Sequence, residues 1–90
     1  MFKNKNESKN NLLGEQVAKY RLSISPKCSQ RKLADLLQLE GLDLDKNAIQ
    51  RIECGKRFIT DIEILAFCKV FNVTPNDLYG YATNNQEKQP

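Results

Sequence analysis

Residues 45–57 read DKNAIQRIECGKR. Asp45 is a strong N-cap residue and Gly55 a natural helix stop, so the spacing predicts a helix of about two turns. Only Ala48, Ile49 and Ile52 in it are apolar enough to pack inward. Advancing ~100° per residue puts Lys46, Asn47, Gln50, Arg51 and Cys54 within an arc of about 140°, opposite those three. Glu53 lies beside Ile49, at the edge of the buried side. One side therefore anchors the helix, and the other presents amides and cations, followed directly by Gly55, Lys56 and Arg57.

That set of side chains suits the reading of base edges. Arginine pairs with guanine O6 and N7, and Asn or Gln with adenine N6 and N7, in a major groove wide enough for a helix. The plainer alternative is a solvated outer face. The neighbouring elements favour the first. Upstream, Ser29 can cap a second helix, QRKLADLLQLE, stopped by Gly41. Its N-terminus could bring Ser29 and Gln30 to a phosphate, because the first N–H groups of a helix have no partner within it. Gly55, Lys56 and Arg57 would clamp the nucleic-acid backbone on the far side, contacts that hold position and confer salt dependence.

Further upstream, Leu13, Val17, Tyr20 and Ile24 fall at helical spacing, which predicts a first helix over 12–22. Pro26 makes SISPK a loop. Downstream, TDIE is a capping box, with Thr60 as cap and Glu63 reaching back. The body IEILAFCKVF is apolar nearly all round, which predicts a central core helix. Asn72 can end it in a left-handed conformation. VTPNDLYG then starts a short fifth helix with Thr74 as cap, Pro75 at the first position, and Val73 placed to staple against Leu78.

The expected class is thus all-α, five short helices in one domain over 11–82. Polar, Lys/Asn-rich residues 1–10 are read as a disordered arm and 83–90 as a disordered tail. Fourteen Lys and Arg oppose eleven Asp and Glu, a net +3. Distribution says more than that total. Lys27, Arg31 and Lys32 form one basic cluster, and Lys46, Arg51, Lys56 and Arg57 another. Three cysteines, no histidine and no CxxC leave no zinc site, so no metal or cofactor is expected. The odd cysteine count and an N-terminus unlike a signal peptide point to reduced thiols in a cytoplasm. No apolar run approaches the ~20 residues a membrane span needs, so no membrane partner is expected. Catalysis has little support, without a plausible triad, glycine-rich phosphate loop or acid pair in a pocket. No enzyme is expected.

SQRKLADLL, NAIQRIECGKR and TDIEILAFCKVFNVTPNDLYG, in that order, resemble the phage repressor and Cro (XRE-like) helix-turn-helix domains. Gln30, Leu33 and Ala34 fit the pattern of the second helix. Ile49, Ile52, Glu53, Gly55 and Lys56 fit that of the third, and Val73, Leu78 and Gly80 the end of the domain. The resemblance covers about residues 12–81. It implies a compact five-helix, lambda-repressor-like fold that binds double-stranded operator DNA as a two-fold homodimer. Lys46, Asn47, Gln50 and Arg51 would face the groove. Ser29, Gln30, Gly55, Lys56 and Arg57 would serve the backbone. Arg21 would pair with Glu53, in keeping with a carboxylate at the buried edge; a solvated helix-end acid is the other reading. Two connections depart from the family pattern. The loop carrying Pro26 is longer by about two residues and LQLEGLDLD by about five, at little entropic cost.

Other features have simpler readings. Leu42 and Leu44 are expected as satellite core rather than a partner-binding patch, and Phe58 and Ile59 are expected to tuck against the fourth helix. Phe67, Phe71 and Tyr79 suit either the core or a dimer interface, to which the fifth helix and LYGYA could contribute. Cys54, near Lys56 and Arg57, is an ordinary free cysteine or, in a sharper reading, a redox-sensitive one. The alternative function is a protein-interaction module on the same fold, an antitoxin or a subunit of a larger regulator binding a regulatory protein partner. Lys46, Asn47 and Arg51 discriminate, since a pure interaction module has no need of cations and amides on that face.

Overall fold

The computed structural model describes residues 9–24 and 28–80. The regular elements among them are five helices: α1 (Gly14–Ile24), α2 (Gln30–Leu39), α3 (Lys46–Glu53), α4 (Asp61–Phe71) and α5 (Pro75–Leu78). Residues 1–8 of the arm expected over 1–10, the Pro26 turn and the tail over 83–90 lie outside the described residues.

Side-chain N-caps start α2 to α5. Ser29, Asp45, Thr60 and Thr74 each accept from a backbone N–H of the first turn that has no partner within the helix. Thr60 and Glu63 form the expected capping box, and Thr74 and Asp77 form a second. The helix ends are as local. Gly41 (φ +87°) and Gly55 (φ +81°) follow α2 and α3 in the left-handed region, and Asn72 (φ 58°) does the same for α4. The next N–H then reaches back across the turn, Leu42 to Leu37 O, Lys56 to Arg51 O and Val73 to Cys68 O.

The start of α1 differs from the sequence expectation. The helix begins at Gly14, two residues late, because Asn11 is its cap. Asn11 Oδ1 accepts from the N–H groups of Leu13 and Gly14 at 3.0 and 2.7 Å. The Asn11 Nδ2 group donates to Ile52 O at 3.1 Å and Arg57 O at 2.7 Å. Asn10 adds an N–H bond to Gly55 O at 2.7 Å and an Nδ2 bond to Lys56 O at 2.9 Å. Asn10, placed by the sequence reading in the arm, is thus tied to the end of α3. A glycine at position 14 is required by this docking, since a Cβ there would collide with Ile52 O.

The core gathers one face from each helix. Val17, Leu33, Leu37, Ile49, Ile52, Phe67 and Leu78 are the largest fully buried side chains. Each such aliphatic or aromatic residue contributes about 1.5–3 kcal/mol by burial. Phe71 stacks between Tyr20 and Phe67, with ring centroids 5.5 and 5.9 Å away. Leu44 is buried and Leu42 packs half-buried against the same core, so both leucines of the α2–α3 connection fold inward. Cys28 and Cys68 are buried thiols, and burial pushes the Cys68 thiol up from its ordinary value.

Three expectations about packing need correction. α4 is not buried all round: Ile62 is 71 % and Leu65 55 % exposed, because α1, α2 and α5 cover only its other sides. Phe58 does not tuck against α4 but stays 53 % exposed, while its neighbour Ile59 packs on the core. Ile24, expected on the inward side of α1, is 45 % exposed at the helix end.

Candidate functional site

α3 owes its orientation to both neighbours. Ala48, Ile49 and Ile52 are buried against α1 and α2. This leaves Lys46, Asn47, Gln50, Arg51 and Cys54 exposed on the outer side, as the wheel requires. None of the four polar side chains among them makes a hydrogen bond or ion pair to another described residue. Cys54 is a free, exposed thiol.

The end of α3 is fixed by Glu53. Arg21 Nε donates to Glu53 Oε2 at 2.7 Å and Arg21 Nη2 to Oε1 at 3.0 Å. Arg21 Nη1 also donates to the Cys28 carbonyl. The side chains are only 12 % and 8 % exposed. The hydrogen bond to Glu53 raises the Arg21 pKa above its ordinary value, against the opposing effect of burial, so the guanidinium is charged at neutral pH.

The five residues expected to serve a nucleic-acid backbone stand in different situations. Lys56 is exposed, and its ammonium has no partner among the described residues. Ser29 is exposed at the start of α2, its hydroxyl oxygen accepting from Lys32 N–H at 3.0 Å. Gln30 is half-buried and donates from Nε2 to Glu53 Oε1 at 2.9 Å. Gly55 is buried, and both of its backbone groups are engaged: its N–H with Ile52 O and its carbonyl with Asn10 N–H. Arg57 faces its own chain, with Nη1 and Nη2 donating to Glu63 Oε1 and Oε2 at 2.9 and 3.0 Å. Gly55 and Arg57 therefore hold the α3–α4 connection, whereas Lys56 presents a charge outward.

Glu63 is itself buried. Burial pushes its carboxyl up, but the hydrogen bonds from Arg57 and Thr60 outweigh that and hold it below the usual carboxylate range. Its capping role is legible in TDIE. The Arg57 pair is not, because it spans six residues across a non-helical connection.

An open groove of about 390 Å³ lies between α2 and the start of α3, lined by Arg31, Asp35, Asp43, Asp45, Lys46 and Asn47 among others. Its two cations face three carboxylates. Arg31 and Lys32 are exposed on the first turn of α2, without an ion-pair partner among the described residues. The basic cluster in the sequence is the signal for them, yet the site expected from sequence includes neither. Among the described residues, no group of three or more metal-ligating side chains is brought together, and no helix is long and apolar enough to cross a membrane.

No protein-family model, curated protein or solved structure matches this chain.

Proposed function

We propose that the chain is a sequence-specific double-stranded DNA-binding transcription regulator of the repressor and Cro type, acting as a repressor dimer on a palindromic operator. α2 and α3 form its helix-turn-helix, with α3 in the major groove. One observation carries the reading: the side chains of Gln50, Arg51, Asn47 and Lys46 project, with no partner among the described residues, from a helix anchored by buried Ala48, Ile49 and Ile52. Cations and amides held ready in this way suit guanine and adenine edges. Lys56 beyond α3, and Ser29, Arg31 and Lys32 at the start of α2, supply phosphate contacts. Gln30 and Arg57 act indirectly, by holding α2 and the α3–α4 connection. The acidic lining beside Lys46 and Asn47 puts the weight of base reading on Gln50 and Arg51.

Those carboxylates favour a second reading, a protein-interaction module on the same fold. Asp35, Asp43 and Asp45 repel phosphate but suit a basic protein partner. Selection of bound sequences from random duplex DNA separates the two. The DNA-binding reading predicts an enriched palindrome, bound with an affinity that falls steeply with salt. Recovery of no enriched sequence, with no salt-sensitive binding to any duplex, favours the interaction module.

A further inference from the structure

The outward side of α4 leaves two large aliphatic side chains exposed. At ~100° per residue, Asp61, Ile62, Leu65 and Lys69 fall within an arc of about 100°. All four are exposed, with Ile62 at 71 % and Leu65 at 55 %. Asp61 and Lys69 have no ion-pair partner among the described residues. Two large aliphatic side chains thus stand in water between two unpaired opposite charges on one helix face.

We infer that this face is a homodimer interface, in which α4 packs antiparallel against α4 of a second copy about a two-fold axis at Leu65. The sequence numbers carry the symmetry. Asp61 precedes Leu65 by four residues and Lys69 follows it by four, so at ~1.5 Å rise per residue the charges stand about 6 Å to either side of the axis. A two-fold through Leu65 sets Asp61 of each copy against Lys69 of the other, and Leu65 against Leu65. A two-fold interface must be self-complementary in this way, since one patch serves both subunits. The antiparallel arrangement also places each helix N-terminus beside the C-terminus of its neighbour, where the helix dipoles attract.

A second copy fits better than the other candidates. Nucleic acid is disfavoured by Asp61 and by the two aliphatic groups. A partner of one charge sign would leave Asp61 or Lys69 opposed by a like charge. Of α5 and Tyr79, which by sequence suit either the core or a dimer interface, Leu78 is fully buried, Tyr79 packs on the core and Tyr20 Oη donates to Asp77 O at 3.0 Å. The interface deepens the dimeric DNA-binding reading and rests on it for the purpose of the dimer, but not for the pairing itself.

Sedimentation velocity of the full chain tests the pairing without DNA, with far-UV circular dichroism confirming that each variant is folded. The wild type is expected to dimerise. Leu65→Glu, at an exposed position, is expected to be a folded monomer. Asp61→Lys is expected to weaken the dimer about tenfold, because an ammonium then faces the Lys69 ammonium at two symmetric points. The double reversal Asp61→Lys/Lys69→Asp is expected to restore it to within about twofold. A wild type that stays monomeric at its highest soluble concentration overturns the proposal. So does a Leu65→Glu protein that still dimerises, or a double reversal no tighter than the single one. Salt-dependent duplex binding by monomeric Leu65→Glu would separately show whether the DNA-binding reading stands.

Discussion

Gln30 and Glu53 join the first residue of α2 to the last of α3, through a 2.9 Å hydrogen bond from Nε2 to Oε1. The same oxygen accepts from Arg21 Nη2 of α1 at 3.0 Å. One carboxylate thus ties three helices together where the angle between α2 and α3 is set. Removing it strands a guanidinium whose side chain is 12 % exposed. Glu53→Ala is expected to cost about 3 kcal/mol, measured by urea unfolding at neutral pH. Glu53→Gln should recover part of this, since its amide oxygen still accepts.

Asn11 joins the start of α1 to the end of α3. Its Oδ1 caps α1, and its Nδ2 serves the carbonyls of Ile52 and Arg57. Asn11→Ala removes a cap and leaves two carbonyls short of a donor, so a loss of about 2 kcal/mol is expected. Asn11→Asp keeps the cap but not the donor and should fall between alanine and wild type. Thermal unfolding of the three proteins checks the order.

Glu63 makes stability depend on acid. Its folded-state pKa lies below the ordinary 4.5. A carboxyl lowered in this way stabilises the fold fully above its unfolded pKa and loses that contribution as pH falls through the folded value. The stability advantage of wild type over Glu63→Gln should be greatest at neutral pH and should shrink below about pH 4.5. Urea midpoints of the two proteins across that range measure it. A constant difference would mean that the carboxylate charge contributes nothing.

Neighbouring cations should separate by function. Arg57 is paired with Glu63, whereas the Lys56 ammonium has no partner among the described residues. On the proposed reading, Arg57→Ala should destabilise the fold by about 2 kcal/mol, because it leaves a buried carboxylate unpaired. Lys56→Ala should leave stability within about 0.5 kcal/mol, weaken binding to all duplexes alike and reduce the salt slope by about one. Unfolding curves and titrations at several salt concentrations check both halves.

Much of the helical layout was legible because its signals are local. Ser29, Asp45, Thr60 and Thr74 act within their own first turns, and Gly41, Gly55 and Asn72 within their own last turns. Apolar spacing alone extends α1 back to Leu12, although Asn11 caps it two residues later. α4 is nearly all apolar, so a wheel cannot show which side is uncovered. That depends on how few elements five short helices can bring around it. At the candidate site, the outward set on α3 followed from Ala48, Ile49 and Ile52. The engagement of Gln30 and Arg57 did not, because both depend on carboxylates that only the tertiary fold brings within reach.

If the outer side of α3 reads bases, Arg51 supplies part of the discrimination between duplexes. Fluorescence-anisotropy titration of wild type and Arg51→Ala, against the selected duplex and a scrambled one, tests it most directly. Arg51→Ala is expected to lose about 1–3 kcal/mol on the selected duplex and far less on the scrambled one. Equal losses on both duplexes, or no salt-sensitive binding by the wild type to either, would contradict it.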